Sequence, residues 1–182
     1  MYKRQEKYFV ELTEARRKTP TDDLASLIAN SEIDGEPLPQ HETNGYYMII
    51  ATAGHDTTSA STAGGLLALL ERPEEMAKLR ADIDGLLPTA IDEMIRWVSP
   101  VRHFMRTATQ DCEVAGQTIR EGESAVLWYP SANRDESVFD APFEFRVDRS
   151  DTKQIAFGFG AHVCLGQHLA RMEMASLPFV LN

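Results

Sequence analysis

A glycine-rich loop with a single cysteine constrains the fold of this chain more than any other feature. The loop, Phe157 to Gly166, reads FGFGAHVCLG and stands directly before a helix-like run, QHLARMEMASL. Glycine permits backbone conformations that other residues avoid and lets a large ligand approach the main chain. The unpaired N–H groups and the positive dipole end at a helix N-terminus stabilise an anionic thiolate. The sequence therefore predicts that Cys164 is a ligand or a nucleophile.

Other uses of a glycine-rich cysteine loop fit the spacing less well. The dinucleotide fingerprint G-x-G-x-x-G fails because its third glycine position falls on Val163. A cysteine-dependent phosphatase loop requires an arginine at the position of Ala170. A zinc site drawn from His162, Cys164 and His168 lacks a fourth soft ligand at a usual spacing, and it stays open as a weaker alternative. The remaining alternative is a buried cysteine beside a helix cap.

The full pattern of the loop is F-x-x-G-x-H-x-C-x-G, met by Phe157, Gly160, His162, Cys164 and Gly166. It resembles the haem-binding loop of the cytochrome P450 superfamily, and in particular that of soluble bacterial class I enzymes of the terpineol-hydroxylating type. The resemblance implies haem b as the cofactor, with the Cys164 thiolate on the iron, Phe157 packed near the sulfur and His162 at a propionate. A thiolate ligand favours O–O cleavage, which accounts for sulfur at this position. The other haem contacts that the resemblance implies in this part of the chain are Gly158, Leu165, Gly166 and Ala170.

The longest helical pattern runs from about Glu42 to Leu70 and has an unusual middle, ATAGHDTTSAST. Its poor helix formers together cost roughly 3 to 4 kcal/mol relative to alanine. At helical spacing, one face carries only small residues over about 16 Å. These residues are Ala53, Gly54, Thr57, Ala60, Ser61 and Gly64. The stripe leaves two explanations open, a flat ligand against the helix or close packing of another helix.

The same run resembles the distal helix of the cytochrome P450 superfamily, whose signature A-G-x-D-T-T is met by Ala53, Gly54, Asp56, Thr57 and Thr58. The resemblance implies haem contacts from Ala53 and Gly54 and a catalytic pair, Asp56 and Thr57. Neighbouring residues lie about 100° apart on a helix, so this pair cannot simply face the same group. We therefore expect a proton relay from Asp56 through a water molecule to Thr57, with Thr57 on the haem side.

A second pair, Glu93 and Arg96, is spaced i, i+3 in a predicted helix, LLPTAIDEMIRWV, that ends before Pro100. Taken alone, the two residues would form a surface ion pair. In the family that the chain resembles, E-x-x-R is a structural signature completed by a later arginine. That arginine is predicted at Arg149, with Arg146 as the alternative. The three residues would lock the core behind the cysteine loop.

The next segment changes to short alternating runs separated by glycine-containing turns, which predicts a small antiparallel sheet. By the resemblance, Arg106 in this segment binds a haem propionate, a role that suits its planar fork of donors. An exposed strand residue that protects a sheet edge is the alternative. The resemblance also places Val101 and Phe104, together with Ala53, in the substrate pocket.

The predicted fold class is mainly α with a small antiparallel β region (α+β), which is the C-terminal part of the cytochrome P450 fold with haem between the distal helix and the cysteine loop. Further helices are expected over residues 1–18, in DDLASLIAN and over residues 71–85. Loops are expected at SEIDGEPLPQ and over residues 133–154. We expect one partial domain over residues 1–182, without the N-terminal part and the terminal hairpin of longer relatives, and a final helix interrupted at Pro178.

Composition restricts the partners. The net charge of −10 argues against binding to nucleic acid, which requires a basic surface. The first residues lack the apolar core of a signal peptide and no apolar run reaches membrane-spanning length, so we expect a cytoplasmic protein without membrane contact. In that compartment Cys112 and Cys164 are expected as free thiols.

The resemblance implies a monooxygenase that uses O2, a small apolar substrate of terpenoid type, and electrons from a ferredoxin with its reductase. The ferredoxin would meet the face around Cys164, where Lys153 and Arg171 offer positive charge. A peroxide-driven enzyme is one alternative, although such enzymes generally lack an acid and alcohol pair like Asp56 and Thr57. The alternative from another class is a non-catalytic haem-binding module or an inactive truncated fragment.

Overall fold

The structure is a computed structural model that describes residues 2–150 and 153–176, apart from the side chains of Tyr2 and Lys3. The expected interruption at Pro178 lies outside the described residues. The chain divides into two compact units, residues 1–55 and 56–182. Helices with short antiparallel strands make up the described part, so the predicted α+β class is confirmed. The single partial domain over residues 1–182 stays a prediction.

The first unit contains two helices, a short hairpin and the start of a long helix. In chain order these are α1 (Tyr2–Lys18), α2 (Leu24–Ala29), β1 (Glu32–Ile33), β2 (Glu36–Pro37) and the beginning of α3 (Gln40–Leu70). Asp23 begins α2 as its N-cap, since its Oδ1 accepts a hydrogen bond of 2.7 Å from the backbone N–H of Ser26. The phenol of Tyr47 donates to the carbonyl of Ala25 at 2.8 Å and so connects α3 to the start of α2.

The SEIDGEPLPQ stretch was expected to be a loop only, and the structure corrects this by placing the β1–β2 hairpin in it. Asp34 and Gly35 form the turn, with φ of 54° and 81°. An Asp-Gly pair tolerates two successive positive φ values, which matches the twist of two antiparallel strands. The local turn chemistry therefore permits pairing across a stretch that is too polar and too rich in proline to show a strand pattern.

The second unit continues α3 and adds shorter helices and four strands. These are α4 (Pro73–Ala81), α5 (Ile83–Val98), β3 (His103–Thr107), β4 (Cys112–Val114), β5 (Gln117–Ile119), β6 (Ser124–Trp128), α6 (Tyr129–Ala132), a 3₁₀ turn (Gly160–His162) and α7 (Gln167–Met174). The strands form two antiparallel pairs, β3 with β6 and β4 with β5. The predicted small antiparallel region is thus present as two separate ladders.

Two features of this unit, one helix boundary and one short helix, differ from the prediction. The helix expected over residues 71–85 is divided at Asp82, which ends α4 and begins α5. The Oδ1 of Asp82 accepts a hydrogen bond of 3.0 Å from the N–H of Gly85, so a side-chain cap starts the next helix three residues before the predicted Leu86. The second difference is α6, a single helical turn in a stretch expected to be extended.

The core of the second unit lies between α3, α4 and α5. Its buried apolar residues include Leu69 on α3, Leu79 on α4 and Met94 and Ile95 on α5. Glycine allows α3 and α5 to approach closely, because a Cβ added at Gly65 would lie 2.6 Å from Cγ of Met94. Such a distance is far inside van der Waals contact, so the helices could not keep this separation with a larger residue.

Candidate functional site

Backbone hydrogen bonds and two glycines fix the shape of the cysteine loop. The N–H of Gly158 donates to the carbonyl of Ile155 at 2.8 Å, and the N–H of Cys164 donates to the carbonyl of Phe157 at 2.8 Å. Gly158 and Gly160 have φ of +75° and +71°, a region that other residues occupy only with strain. The turn itself therefore requires glycine at 158 and 160, of which Gly160 belongs to the pattern, whereas Gly166 has an ordinary φ of −85°.

The cysteine loop presents its thiol and large apolar side chains outward. Cys164 is exposed, and Phe159 and Leu165 keep 89% and 94% of their surface accessible. Phe157 behaves differently because it is half-buried against the core of the second unit. The alternative of a buried cysteine beside a helix cap is therefore wrong for Cys164.

The remaining predicted haem contacts of this region lie on or beside the same loop. His162 is exposed at the end of the 3₁₀ turn, and Ala170 is half-buried on α7. His168, the third member of the zinc alternative, is exposed on α7. In the described part of the chain, no three side chains of His, Cys, Asp or Glu come together as metal ligands, so the zinc alternative has no support.

The arginine of α7 shields one side of the loop. The guanidinium of Arg171 lies 4.6 Å from the ring centre of Phe157. Its Nε and Nη2 both reach Oδ1 of Asp92, at 3.0 and 2.9 Å. Arg171 is thus tied to α5 and to the aromatic ring. Sequence reasoning did not find this contact, because Asp92 and Arg171 are far apart in the chain and neither belongs to a spaced motif.

An ion-pair cluster, consisting of Glu93, Arg96 and Arg149, lies in the interior of the second unit. Glu93 accepts from Arg96 through both carboxylate oxygens, at 2.6 and 2.8 Å, and from Nε of Arg149 at 3.0 Å. Glu93 and Arg96 are 2% and 1% exposed, so this is no surface pair. Arg146, the alternative third member, contributes only its backbone N–H to Glu93, and its guanidinium pairs with Asp140.

The surroundings of this cluster satisfy its charges. Arg96 also donates to the carbonyls of Asn133 and Pro142, at 2.7 and 2.9 Å. Among the described side chains, no buried nitrogen or oxygen lacks a hydrogen-bond partner. Burial holds the pKa of the nearby Arg134 below its usual value, and the positive charges of Arg96 and Arg102 add to this effect. A buried, fully bonded charge network of this kind specifies one arrangement of the segments that meet there.

The predicted distal residues lie on α3, which is a continuous helix from residue 40 to residue 70. Ala53, Gly54 and Asp56 are exposed, and Thr57 is half-buried. The stripe of small residues has two different environments. A Cβ added at Gly64 would lie 2.7 Å from Cγ2 of Val98, whereas one added at Gly54 would meet no described atom within 4 Å. Close helix packing therefore explains the C-terminal end of the stripe and does not explain Gly54.

The predicted propionate ligand and two of the three predicted pocket residues lie on or just before β3, while the third, Ala53, lies on α3. Arg106 is exposed, and its Nη1 donates to the carbonyl of Met105 at 2.9 Å. Phe104 is 53% exposed, with its ring centre 6.1 Å from that of Tyr129. Val101 is half-buried between α5 and β3. A guanidinium and an aromatic ring thus stand exposed on one short strand.

The fold and site define a protein of mixed α and β structure with an exposed cysteine on a glycine-rich loop and a buried carboxylate–diarginine cluster. The family model for Cytochrome P450 matches residues 1–177. The chain therefore belongs to the cytochrome P450 family, whose members are haem b enzymes with a thiolate ligand.

Individual relatives agree with this assignment. The chain is 50% identical to Cytochrome P450-terp of a Pseudomonas species over 92% of its own length and 39% of that protein. It is 42% identical to Linalool 8-monooxygenase of Pseudomonas putida over 94% of its length and 42% of that protein. The crystal structure of CYP108D1 from Novosphingobium aromaticivorans covers 99% of the chain at a TM-score of 0.92 and 49% identity, and the chain covers 44% of it. The chain thus spans less than half the length of these relatives.

The residues around Cys164 suit a haem. The soft sulfur ligand is accessible, and the glycines at 158 and 160 keep side chains away from the turn beside it. Exposed apolar side chains such as Leu165 can cover a porphyrin face, while exposed Arg106 and His162 carry donors suited to carboxylates. A search of the described helices for a segment long and apolar enough to cross a membrane finds none.

Proposed function

We propose that this chain carries the haem-thiolate centre of a monooxygenase that inserts one oxygen atom of O2 into a small apolar substrate of terpenoid type. The reaction consumes two electrons and two protons, and its products are the hydroxylated substrate and water. The observation that carries this proposal is the exposed thiol of Cys164, fixed by the Cys164 N–H to Phe157 carbonyl bond of 2.8 Å on a loop with an apolar surface.

In this proposal the loop and its neighbours hold the haem. Cys164 supplies the iron ligand, Phe157 packs near the sulfur, and Arg106 and His162 bind the propionates. Gly158, Leu165, Gly166 and Ala170, with Ala53 and Gly54 on α3, provide the remaining contacts. When bound, the haem activates O2, and its thiolate ligand favours O–O cleavage. The ion-pair cluster positions the loop and takes no part in the chemistry.

Asp56 and Thr57 deliver protons in this proposal. Asp56 is exposed and can exchange protons with solvent, whereas Thr57 is half-buried one position further along α3. Because the two side chains point about 100° apart, a water molecule must carry the proton from the carboxyl group to the threonine hydroxyl. Thr57 would then hold the proton at its Oγ1. Close helix packing does not account for the nearby Gly54, because a Cβ added there would meet no described atom within 4 Å.

The proposed substrate class rests on kinship and on apolar residues. Linalool 8-monooxygenase is a relative at 42% identity whose name states a terpenoid substrate. Val101, Phe104 and Ala53 form part of the pocket in the proposal, and the exposed ring of Phe104 offers an apolar contact. A pocket lined in this way selects for apolar volume and shape.

The proposed electron donor is a ferredoxin, served by its reductase, that docks near the cysteine loop. Lys153 is exposed there and can meet an acidic partner. Arg171 is already paired with Asp92, so its charge is partly neutralised. We place the protein in the cytoplasm, where a reducing environment maintains free thiols such as Cys112 and Cys164.

Isotope labelling tests the proposed reaction. The haem-loaded protein is supplied with a bacterial ferredoxin, its reductase, NADH, linalool and ¹⁸O2, and the products are analysed by mass spectrometry. Incorporation of one labelled atom that depends on the ferredoxin supports the proposal. Labelled product only when hydrogen peroxide replaces the electron chain would identify a peroxide-driven enzyme. Haem uptake without labelled product from any terpenoid alcohol tried would overturn the monooxygenase and leave a haem-binding module.

The relay is tested by uncoupling. Replacing Thr57 with alanine removes the hydroxyl that holds the proton, so NADH consumption should continue while more of it ends as hydrogen peroxide. Thr62→Ala is the matched control, because this threonine lies on the same helix and its hydroxyl only donates to the carbonyl of Thr58 at 2.8 Å. Equal coupling of product formation to NADH in both variants would contradict the relay.

A further inference from the structure

Asn133 is a fully buried polar residue that neither the predicted site nor the ion-pair cluster includes. It stands directly after α6, in the stretch YPSANRDE, and none of its surface is exposed. Burying an amide side chain whose groups lack hydrogen-bond partners costs about 1–3 kcal/mol of stability. The partners that Asn133 bonds to therefore show which segments this buried side chain connects.

The four polar groups of Asn133 bond to three segments of the second unit, namely α5 with the residue after it, α6, and the stretch that leads into the cysteine loop. Its Oδ1 accepts from the N–H of Ile155 at 2.8 Å, and its Nδ2 donates to the hydroxyl of Ser99, after α5, at 2.8 Å. Its carbonyl accepts from Arg96 at 2.7 Å, and its N–H donates to the carbonyl of Tyr129 at 2.9 Å. Because a backbone N–H can only donate, the side-chain oxygen must face Ile155 and the amide nitrogen must face Ser99.

The bond to Ile155 continues toward the cysteine. The carbonyl of Ile155 accepts from Gly158, and the carbonyl of Phe157 accepts from Cys164, both at 2.8 Å. Oδ1 of Asn133 thus begins a short series of backbone bonds that ends at the N–H of Cys164. Its carbonyl, at the same time, belongs to the shell of the ion-pair cluster through Arg96. Asn133 is the residue that joins the buried cluster to the start of the cysteine loop.

We propose that Asn133 is the positioning residue for Cys164, setting the height of the cysteine loop over the buried cluster through its bond to Ile155. The proposal deepens the proposed function and rests on it for the role of the thiolate. It assigns no chemical step to Asn133, whose side chain is buried away from the exposed thiol. The glycines permit the turn of the cysteine loop, and in this proposal the hydrogen bond from Ile155 to Asn133 anchors it.

The test separates the bond to Ile155 from the bond to Ser99. Asn133→Ala removes both, whereas Asn133→Asp keeps an oxygen for Ile155 and loses the donor to Ser99. Amide hydrogen exchange in the haem-free chain is measured at Ile155, Gly158 and Cys164. In Asn133→Ala the protection of these three amides should fall about tenfold or more beyond the change at other amides, and in Asn133→Asp it should be retained.

Leu79→Ala serves as the stability control, because it opens a cavity in the same buried core against which Phe157 packs and removes no side-chain hydrogen bond. It should lower protection evenly throughout the second unit. A loss at the three loop amides that is no larger in Asn133→Ala than in Leu79→Ala would overturn the proposal. If Asn133→Ala does not fold, exchange protection is compared between Asn133→Asp and Leu79→Ala. A loss of protection in Asn133→Asp that is confined to the three loop amides would then overturn the proposal.

A second readout uses the haem-loaded protein. Misplacing the loop should convert part of the reduced, carbon-monoxide-bound spectrum from the thiolate type to the thiol type in Asn133→Ala, with rescue in Asn133→Asp and no conversion in Leu79→Ala. If the wild-type chain shows no thiolate spectrum, the proposed function fails. The exchange experiment then still decides whether Asn133 holds the loop.

Discussion

The ion-pair cluster and the cysteine loop differ in how their polar groups are satisfied, although α5 borders both. Glu93 points into the cluster and is 2% exposed, while its neighbour Asp92 points toward the loop side and pairs with the half-buried Arg171. In the cluster every charge meets a protein partner. At the loop, the thiol of Cys164 and the side chain of Leu165 face outward. The ion-pair cluster is thus a closed region whose bonds fix geometry, whereas the cysteine loop is an open region whose exposed side chains would contact the proposed haem.

The largest effect is expected where the closed region loses its central charge. Replacing Glu93 with glutamine leaves Arg96 and Arg149 as buried positive charges with no counter-charge. We expect the free energy of unfolding, measured by urea denaturation, to fall by about 3–5 kcal/mol. This is a large share of the stability of an ordinary domain. A loss no larger than that of Asp92→Asn would contradict the view that the cluster locks the core.

Two glycine substitutions on α3 should change the free energy of unfolding in opposite directions. Gly65→Ala places a methyl group 2.6 Å from Cγ of Met94, so urea denaturation should show a loss of about 1–3 kcal/mol from overpacking. Gly54→Ala meets no described atom within 4 Å, and the better helix propensity of alanine should raise stability by up to about 1 kcal/mol. Destabilisation by Gly54→Ala as large as that by Gly65→Ala would show that Gly54 also serves close packing.

A smaller loss of stability is expected on breaking the Asp92–Arg171 pair, which lies between the ion-pair cluster and the cysteine loop. Asp92→Asn removes the charge that holds Arg171 over Phe157, in a pair whose side chains are 19% and 31% exposed. Urea denaturation should show a loss of about 1 kcal/mol or less, and the difference from wild type should shrink at high salt because partly exposed pairs are screened. A loss that is unaffected by salt would mean that Asp92 belongs energetically to the closed region.

The smallest effect is expected at a surface carboxylate, Asp23, whose side chain is 36% exposed. Asp23 accepts hydrogen bonds from Arg16 and from the N–H of Ser26, and these bonds, chiefly the one from Arg16, lower the pKa of Asp23 well below its ordinary value. A carboxyl group with a lowered pKa adds stability above its unfolded pKa of about 3.9, and that stability is lost as the pH falls toward the folded pKa. The urea midpoint should therefore decline below about pH 4 less steeply in Asp23→Asn, which still caps α2 without titrating. Identical pH profiles would contradict this assignment.

The sequence predicted the parts of the site that depend on local spacing. Glu93 and Arg96 share a helix face, and Phe157, His162 and Cys164 lie within one loop, so a single stretch of chain carries each pattern. Local rules also predicted the long helix α3, which begins two residues before its expected start. The third member of the cluster had to be chosen between Arg146 and Arg149 by counting, and the structure brings the guanidinium of Arg149 to Glu93.

The rest depended on contacts between distant segments. The division at Asp82 arises because one side chain ends α4 and caps α5, which a continuous amphipathic pattern conceals. The contacts of Asn133 connect it to Ser99 and Ile155, and no periodicity reports such pairs. Arg171 looked free for a redox partner because its bond to Asp92 spans 79 positions. Each of these residues has an ordinary local context and acquires its role only in the packed structure.

We propose that the sulfur of Cys164 binds the haem iron, and the two cysteines Cys112 and Cys164, both free thiols, allow a matched test. Cys112 and Cys164 are both exposed, but only Cys164 lies in the glycine loop. The measurement is the absorption spectrum of the reduced, carbon-monoxide-bound protein for wild type, Cys112→Ser and Cys164→Ser after loading with haem. Wild type and Cys112→Ser should show the red-shifted Soret band of a thiolate ligand, and Cys164→Ser should lack it. A thiolate band that survives in Cys164→Ser, or that is absent from wild type, would contradict the claim.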